Sequence, residues 1–294
     1  IYAAYTYPNT PVVGLFLWPF TLLPPLAGAM AFFFFKAGLA AFSVWAAIRM
    51  AVGGRSGALP AWAVVVVFLL TLRPIESDLQ HGNINILVMF TVYAGLWLLM
   101  RGRAAGGGAM IGLATVVKVT PGLFLLYFLW KRQWRALYGM AAGGAAAVAA
   151  PALVLGPVRN VGLHVAWVKQ MIVPYVTEGA VKYTSQINQS LSGFFMRFFT
   201  DSVGIEFPRA MGTAKVNIVA LDPAVAGIVL RVLLLGLLVA LAWVCRTRIA
   251  GPRDWRLPCE FSIVLLGMLL LCERPWKHHF VIVALPVACV VCYL

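Results

Sequence analysis

The sequence predicts an all-α fold, a polytopic transmembrane helical bundle of about nine spans with interfacial helices added, and three observations carry that reading. Hydrophobic residues make up 62% of the 294, charged residues only 11%, and the mean hydropathy is +0.91. A soluble core of this length cannot hide so much apolar surface, so the bilayer is the main solvent. Second, eleven of the 23 Lys and Arg fall in four short connections, which are every second one along the chain. Third, most groups able to do chemistry fall in the alternate connections.

Apolar runs of spanning character cover residues 26–48, 61–73, 84–100, 104–117, 119–130, 137–156, 224–245, 258–272 and 280–294. Several are shorter than the roughly 20 residues a perpendicular helix needs to cross about 30 Å. Such helices either extend through polar positions or border a thinned, watery vestibule. Residues 11–24 carry Pro19 and Pro24 and suit an interfacial or re-entrant helix, which leaves Tyr5, Tyr7 and Pro8 on an external edge. The region 157–218 mixes Trp167, Tyr175, Phe194, Phe195 and Phe198 with scattered charges, as amphipathic helices on a membrane surface do. The whole chain reads as one domain. It opens at Ile1 without a Met, inside a polar aromatic stretch, so an N-terminal piece is expected upstream.

Arg49 and Arg55, Arg101 and Arg103, Lys131, Arg132 and Arg135, and Arg246, Arg248, Arg253 and Arg256 mark the cytoplasmic connections by the positive-inside rule. The opposite connections hold Glu76, Asp78, Glu178, Asp201, Glu206, Asp222 and Glu273, leaving only Asp254 and Glu260 near the basic side. The net charge of +14 is dispersed between apolar runs and forms no continuous stripe, so it reads as topology and lipid-phosphate contact, with no nucleic-acid partner. Cys245, Cys259, Cys272, Cys289 and Cys292 all sit in or beside C-terminal apolar runs, as lipid- or core-facing thiols. Lys36 and Arg231, inside apolar runs, are read as snorkelling or bonded to internal carbonyls.

Between the basic pairs at 101–103 and 131–135 the chain must go in and return, which puts Lys118 at the outer tip of two short arms. An ammonium near membrane depth needs a partner or water, and a lipid phosphate would satisfy it. Four outer clusters recur: Glu76 to Asn85, Lys118 to Pro121, Asn188 to Arg197, and Glu273 to His279. Glu76 and Asp78 could remove a proton or hold a divalent ion. Asn83 and Asn85 could satisfy backbone groups at a helix start or contact sugar hydroxyls. His278 and His279, beside Trp276 and Lys277, offer imidazoles for a phosphate or a proton. Asn188-Gln189-Ser190 also matches a glycosylation acceptor.

In this order the clusters resemble the family-87 glycosyltransferases of the GT-C superfamily, which include polyprenyl-phosphate-mannose-dependent α-mannosyltransferases. The matching pieces are the aromatic-Pro opening at Tyr5 to Pro11, the Gly-x-Asn helix start at Gly82, Lys-x-Thr-Pro at Lys118, Asn-Gln-Ser-Leu ending in Arg197, and Trp-x-His-His at Trp276. The sequence departs from the family at Lys277, where related chains are often acidic, and at Asn83, which replaces a frequent Gln. The resemblance implies transfer of a hexose, mannose by preference, from a polyprenyl-phosphate donor to a lipid or glycan acceptor with inversion, at the outer face of a bacterial plasma membrane. The family's base is an Asp in the first external loop; since no acidic residue precedes Glu76, it is expected upstream of Ile1.

The site residues expected are therefore His278, His279, Asp78 and Glu76 for catalysis, Lys118, Arg197 and Lys277 for the donor phosphate, and Asn83, Asn85, Asn188, Gln189 and Trp276 for sugar or acceptor. No cofactor is required, and a divalent metal is left open at Glu76 and Asp78. A secondary transporter and a non-catalytic lipid-binding subunit are the other classes that a polytopic chain allows.

Overall fold

The computed structural model describes residues 9–53, 60–178, 184–207, 212–252, 254–273 and 275–293. Tyr5, Tyr7, Pro8, Arg55 and Arg253, and the side chains of Tyr175 and Glu178, lie outside the described residues.

The fold is all-α apart from a two-stranded antiparallel ribbon, β1 (Ile205–Glu206) with β2 (Thr213–Ala214). Its helices are α1 (Pro11–Thr21), α2 (Pro25–Val52), α3 (Ala61–Gln80), α4 (Asn85–Met100), α5 (Ala104–Val117), α6 (Leu123–Trp130) and α7 (Trp134–Ala149). There follow α8 (Ala152–Leu155), α9 (Pro157–Trp167), α10 (Val173–Glu178), α11 (Leu191–Phe199), α12 (Pro223–Val244), α13 (Arg256–Leu270) and α14 (Ala284–Tyr293). All nine apolar runs are largely helical, but length and composition suffice to cross a membrane in three: Pro25–Val52, Trp134–Leu155 and Pro223–Val244. α3 is long enough at 20 residues but carries Arg73, Glu76 and Asp78 in its last two turns, and the rest are short because polar or prolyl residues stop them. α5 ends at Lys118, a residue in extended conformation, and rises only about 21 Å at about 1.5 Å per residue.

The closest helix pair is α5 with α7. Their contact faces are built of Gly and Ala, which lets the backbones touch; without a hydrophobic drive between helices in lipid, such contact is what holds them. A Cβ placed on Gly112 would fall on the carbonyl of Met140, and one on Gly139 on that of Ala105. The main core spreads from there through α4, where Tyr93 is wholly buried and its hydroxyl bridges the carbonyl of Ile282 and the amide of Leu285, both at 2.8 Å.

The bundle has two chemically distinct ends. At one, Lys131 Nζ reaches the carbonyls of Cys245 (3.0 Å) and Thr247 (2.6 Å) and the carboxylate of Glu260 (2.8 Å), which also accepts from Tyr127 (2.8 Å). There too, Arg101, Arg103, Asp254 and Arg256 line one wide cavity. The basic connections α4–α5, α6–α7 and α12–α13 thus converge. Glu260 is buried among them as the partner of a lysine. At the other end, the last turn of α3, the first of α4, the α5–α6 turn and residues 272–273 and 275–279 converge. α1 begins at this end as well, where Thr10 Oγ1 bonds the carbonyl of Val116 at 2.8 Å.

The 157–218 region holds α9 to α11 and the ribbon. α11 is amphipathic: Met196 packs with Ala226 and Leu230 of α12 while Phe194 stays exposed. Arg231 stands on the exposed face of α12.

The close approach makes a specific prediction. Gly112→Ala should cost about 1–3 kcal/mol, because its methyl meets backbone that cannot rotate away. Gly106→Ala, which meets only the tip of Leu98 at 3.7 Å, should stay within about 0.5 kcal/mol of the parent. Thermal unfolding in detergent compares the two.

Candidate active site

The polar end is organised around one carboxylate. α4 starts after a turn at Gly82, whose φ of +62° suits glycine, and Ile84 at its capping position has no side chain able to accept a hydrogen bond. Asp78, from the last turn of α3, supplies the missing acceptor. Its Oδ1 takes the Asn85 amide N–H (3.2 Å) and the Asn85 side-chain Nδ2 (2.9 Å), and its Oδ2 takes the Ile86 N–H (3.4 Å). On the other side Lys36 Nζ stands 2.9 Å from Oδ2 and also donates to the Asp78 carbonyl at 2.8 Å. Both side chains are buried, at 2% and 0% exposure. Such a pair persists because the carboxylate accepts four bonds and the ammonium has two oxygens in reach; removing one partner of a buried pair typically costs about 3–5 kcal/mol.

Lys36, read as snorkelling or bonded to an internal carbonyl, does the second, donating to the Asp78 carbonyl, and adds a buried ion pair with that residue. One expectation changes here. The backbone groups at the start of α4 are satisfied by Asp78, with Asn85 already inside the helix and Asn83 bonded through its own N–H to the Asp78 carbonyl at 3.3 Å.

Asn85 passes the order on. Because its Nδ2 donates to an acceptor-only carboxylate, its Oδ1 faces the other way and accepts from Lys118 Nζ. Lys118 sits where α5 ends and the chain turns back through Thr120–Gly122 into α6. Burial lowers the amine to about 8, so it is still mostly protonated at neutral pH. Together Lys118, Asn85, Thr120, Cys272, Pro275 and His279 line a narrow pocket floored by Val88, Met268, Leu269, Val281 and Ile282.

His279 reaches this pocket from the turn after α13. Its N–H bonds the Trp276 carbonyl (2.8 Å) and its Nδ1 accepts from the Trp276 N–H (2.6 Å). With Nδ1 occupied as an acceptor, the neutral ring carries its proton on Nε2 and is a donor. His278 is buried behind it, with its ring 4.8 Å from that of His279, 5.5 Å from Trp276 and 5.5 Å from His81. Burial, then the nearby Lys118 ammonium, pushes His278 down to about 4 and His279 to about 2.

The segment 184–190 straps this turn in place. Asn188 Nδ2 donates to the Glu273 carbonyl (2.9 Å) and the Gln189 N–H to that of Pro275 (3.0 Å). Arg197 holds the strap by donating to the carbonyls of Thr184 (2.7 Å), Ser185 (2.9 Å) and Asn188 (2.6 Å). Ser190 closes it as the cap of α11, accepting from the Gly193 N–H at 2.6 Å.

Of the residues expected from sequence, the structure therefore gathers Lys118, Asn85 and His279 on one pocket, with His278 and Asp78 directly behind. Gln189, Trp276 and Lys277 are exposed near its rim. Arg197 gives its Nε and Nη2, and Asn188 its side-chain amide, to the strap and the turn it holds. Glu76 turns to the protein surface, paired with Arg73 at 2.6 Å and Gln80 at 3.0 Å, so it and Asp78 diverge. Cys272, read from sequence as lipid- or core-facing, lines the pocket. Its place three residues before Pro275 was visible, but nothing in that spacing pointed inward.

A helical membrane protein with a cationic, partly apolar pocket at the end opposite its basic connections is the class these features define. The chain belongs to glycosyltransferase family 87, whose sequence pattern it matches over residues 5–269. It is 37% identical over 82 residues to a polyprenol-phosphate-mannose-dependent alpha-(1-2)-phosphatidylinositol mannoside mannosyltransferase of Mycolicibacterium smegmatis, covering 25% of this chain and 18% of that one. Over 159 residues, 52% of this chain and 34% of the relative, it is 27% identical to the corresponding pentamannoside mannosyltransferase of Mycobacterium tuberculosis. Each alignment takes in about a third or less of the relative's length. No solved structure matches the chain.

The depressed histidines predict how stability follows pH. The unfolded chain binds protons at about 6.5 while the folded state resists them, so this contribution is full above about 6.5 and is lost as pH falls toward 4. The thermal midpoint should drop between pH 7 and 5, and His278→Gln should flatten that drop when both are followed in detergent.

Proposed function

We propose that this protein is a membrane mannosyltransferase that moves mannose from a polyprenyl-phosphate carrier to a lipid-linked mannoside acceptor at the non-cytoplasmic face, with inversion. The convergence of Lys118, Asn85 and His279 on one pocket, at the end away from the basic connections, is the observation that carries the reading. The relatives' names supply the donor and the acceptor class.

The chemistry follows from charge. A polyprenyl-phosphate sugar is a phosphodiester with about one negative charge, and the leaving phosphate monoester gains a second. As the acceptor hydroxyl adds to the anomeric carbon and the bond to phosphate oxygen breaks, charge grows on that phosphate. Lys118 Nζ and the Nε2–H of His279 are fixed donors where that charge develops, so they bind the transition state more strongly than the bound donor. A low-dielectric wall of Val88, Met268 and Ile282 strengthens the effect. Half-buried Asn83 and exposed Trp276 and Gln189 at the rim are assigned to sugar and acceptor, and exposed Lys277 to the donor phosphate.

The proton of the acceptor goes to a carboxylate. Among the described residues no Asp or Glu lines the pocket. Asp78 is saturated and Glu76 faces away, so neither receives that role.

Lys118→Met and His279→Ala should each lower kcat for transfer from polyprenyl-phosphate mannose by about 10²–10³-fold while leaving membrane insertion intact. Proteoliposomes with a phosphatidylinositol mannoside acceptor provide the assay. Full turnover in both variants would remove the phosphate site, and sugar uptake without transfer would point to a transporter.

A further inference from the structure

Four polar groups run in a line through the polar end: Lys36, Asp78, Asn85 and Lys118. Only the last two line the pocket. Lys36 is 1% exposed and sits in the middle of α2, out of reach of any substrate.

We infer that Lys36 balances the charge of Asp78 so that the Lys118 ammonium is left uncompensated for the donor's phosphate. This rests on the phosphate reading of the pocket and deepens it. Asp78 is placed to cap α4 and to orient Asn85, and one oxygen, Oδ1, takes both Asn85 bonds, so an amide oxygen in its place keeps them. That carboxylate stands one amide away from Lys118. Alone, it would be the nearest counter-charge to the ammonium in a poorly screened site, and an incoming phosphate would have to compete with it. With Lys36 against Oδ2 the inner pair sums to zero. The line as a whole keeps one positive charge, located at the pocket. Lys36 is thus a positioning residue for charge, acting through Asp78 and Asn85 without touching the substrate.

A pair that merely clamps α2 to α3 makes a different prediction from a pair that sets the pocket's charge. Clamping predicts that every single change lowers the amount of folded protein and leaves the donor KM of the folded fraction alone. Charge balance predicts a sign pattern. Lys36→Met leaves Asp78 to neutralise Lys118, so donor KM should rise roughly tenfold with a smaller change in kcat. Asp78→Asn removes the competing anion, so donor KM should stay at or below the parent's. The double variant, with one positive charge again at the pocket, should return donor KM to within about threefold of the parent.

The experiment measures donor KM and kcat for these three variants and for Lys118→Met in nanodiscs, with thermal unfolding recorded on each. An unchanged KM in folded Lys36→Met, or a double variant as impaired as Lys36→Met, overturns the inference. If Lys36→Met does not fold, Asp78→Asn and the charge-neutral double variant carry the test, and a raised KM in either overturns it. Unchanged KM and kcat in Lys118→Met would instead sink the phosphate reading itself, and the inference with it.

Discussion

A single buried carboxylate organises the polar end of this bundle. Asp78 belongs to α3, caps α4 and pairs with a lysine of α2, so three helices meet on two oxygens. Each partner needs the others. The first amides of α4 have no local acceptor because Ile84 cannot provide one, the carboxylate cannot stay ionised without donors, and the Lys36 ammonium cannot remain in apolar surroundings without an anion. The orientation of Asn85, and through it the place of Lys118, follows from that arrangement.

A second constraint is reach. Helices α4, α5, α6 and α13 are shorter than a straight crossing of the hydrocarbon needs, so the turn that carries Lys118 lies within the bundle end and not on a stalk above it. Small residues between α5 and α7 bring two helix backbones into contact and keep this short hairpin rigid. The strap at 184–190 then holds Glu273 and Pro275 over it, with Arg197 bonded to three carbonyls of the strap. A pocket results from parts far apart in the chain, held mostly by side-chain bonds to backbone groups and to one another.

The two ends treat buried charge differently. At the basic end Lys131 and Glu260 satisfy one another with two carbonyls and a tyrosine, which closes the helices together and leaves no charge over. At the polar end the buried line from Lys36 through Asp78 and Asn85 to Lys118 holds one carboxylate and two ammonium groups, so a positive charge remains in that line beside a donor imidazole. Under the proposed function such an imbalance serves the reaction, because the anion to be stabilised appears only as the sugar leaves its phosphate.

The sequence by itself determined the all-helical membrane class, the segregation of basic from reactive connections, the turn at Lys118 and the family. These are readable because apolar runs, loop charge and motif order are local properties that the bilayer enforces regardless of packing. It also marked Lys118, Asn85 and the His pair as belonging together. What only the tertiary structure decided was the work each does. Asp78 and Glu76 sit two residues apart in one motif, yet one is sealed against Lys36 and the other faces the protein surface, since a helix turns neighbouring side chains to different sides. Arg197 ends a motif shared with the family but binds three carbonyls. Lys36 lies 42 residues from its partner in an otherwise apolar run. Partners that distant are chosen by how helices pack, and packing of this kind leaves no periodic or compositional trace in one chain.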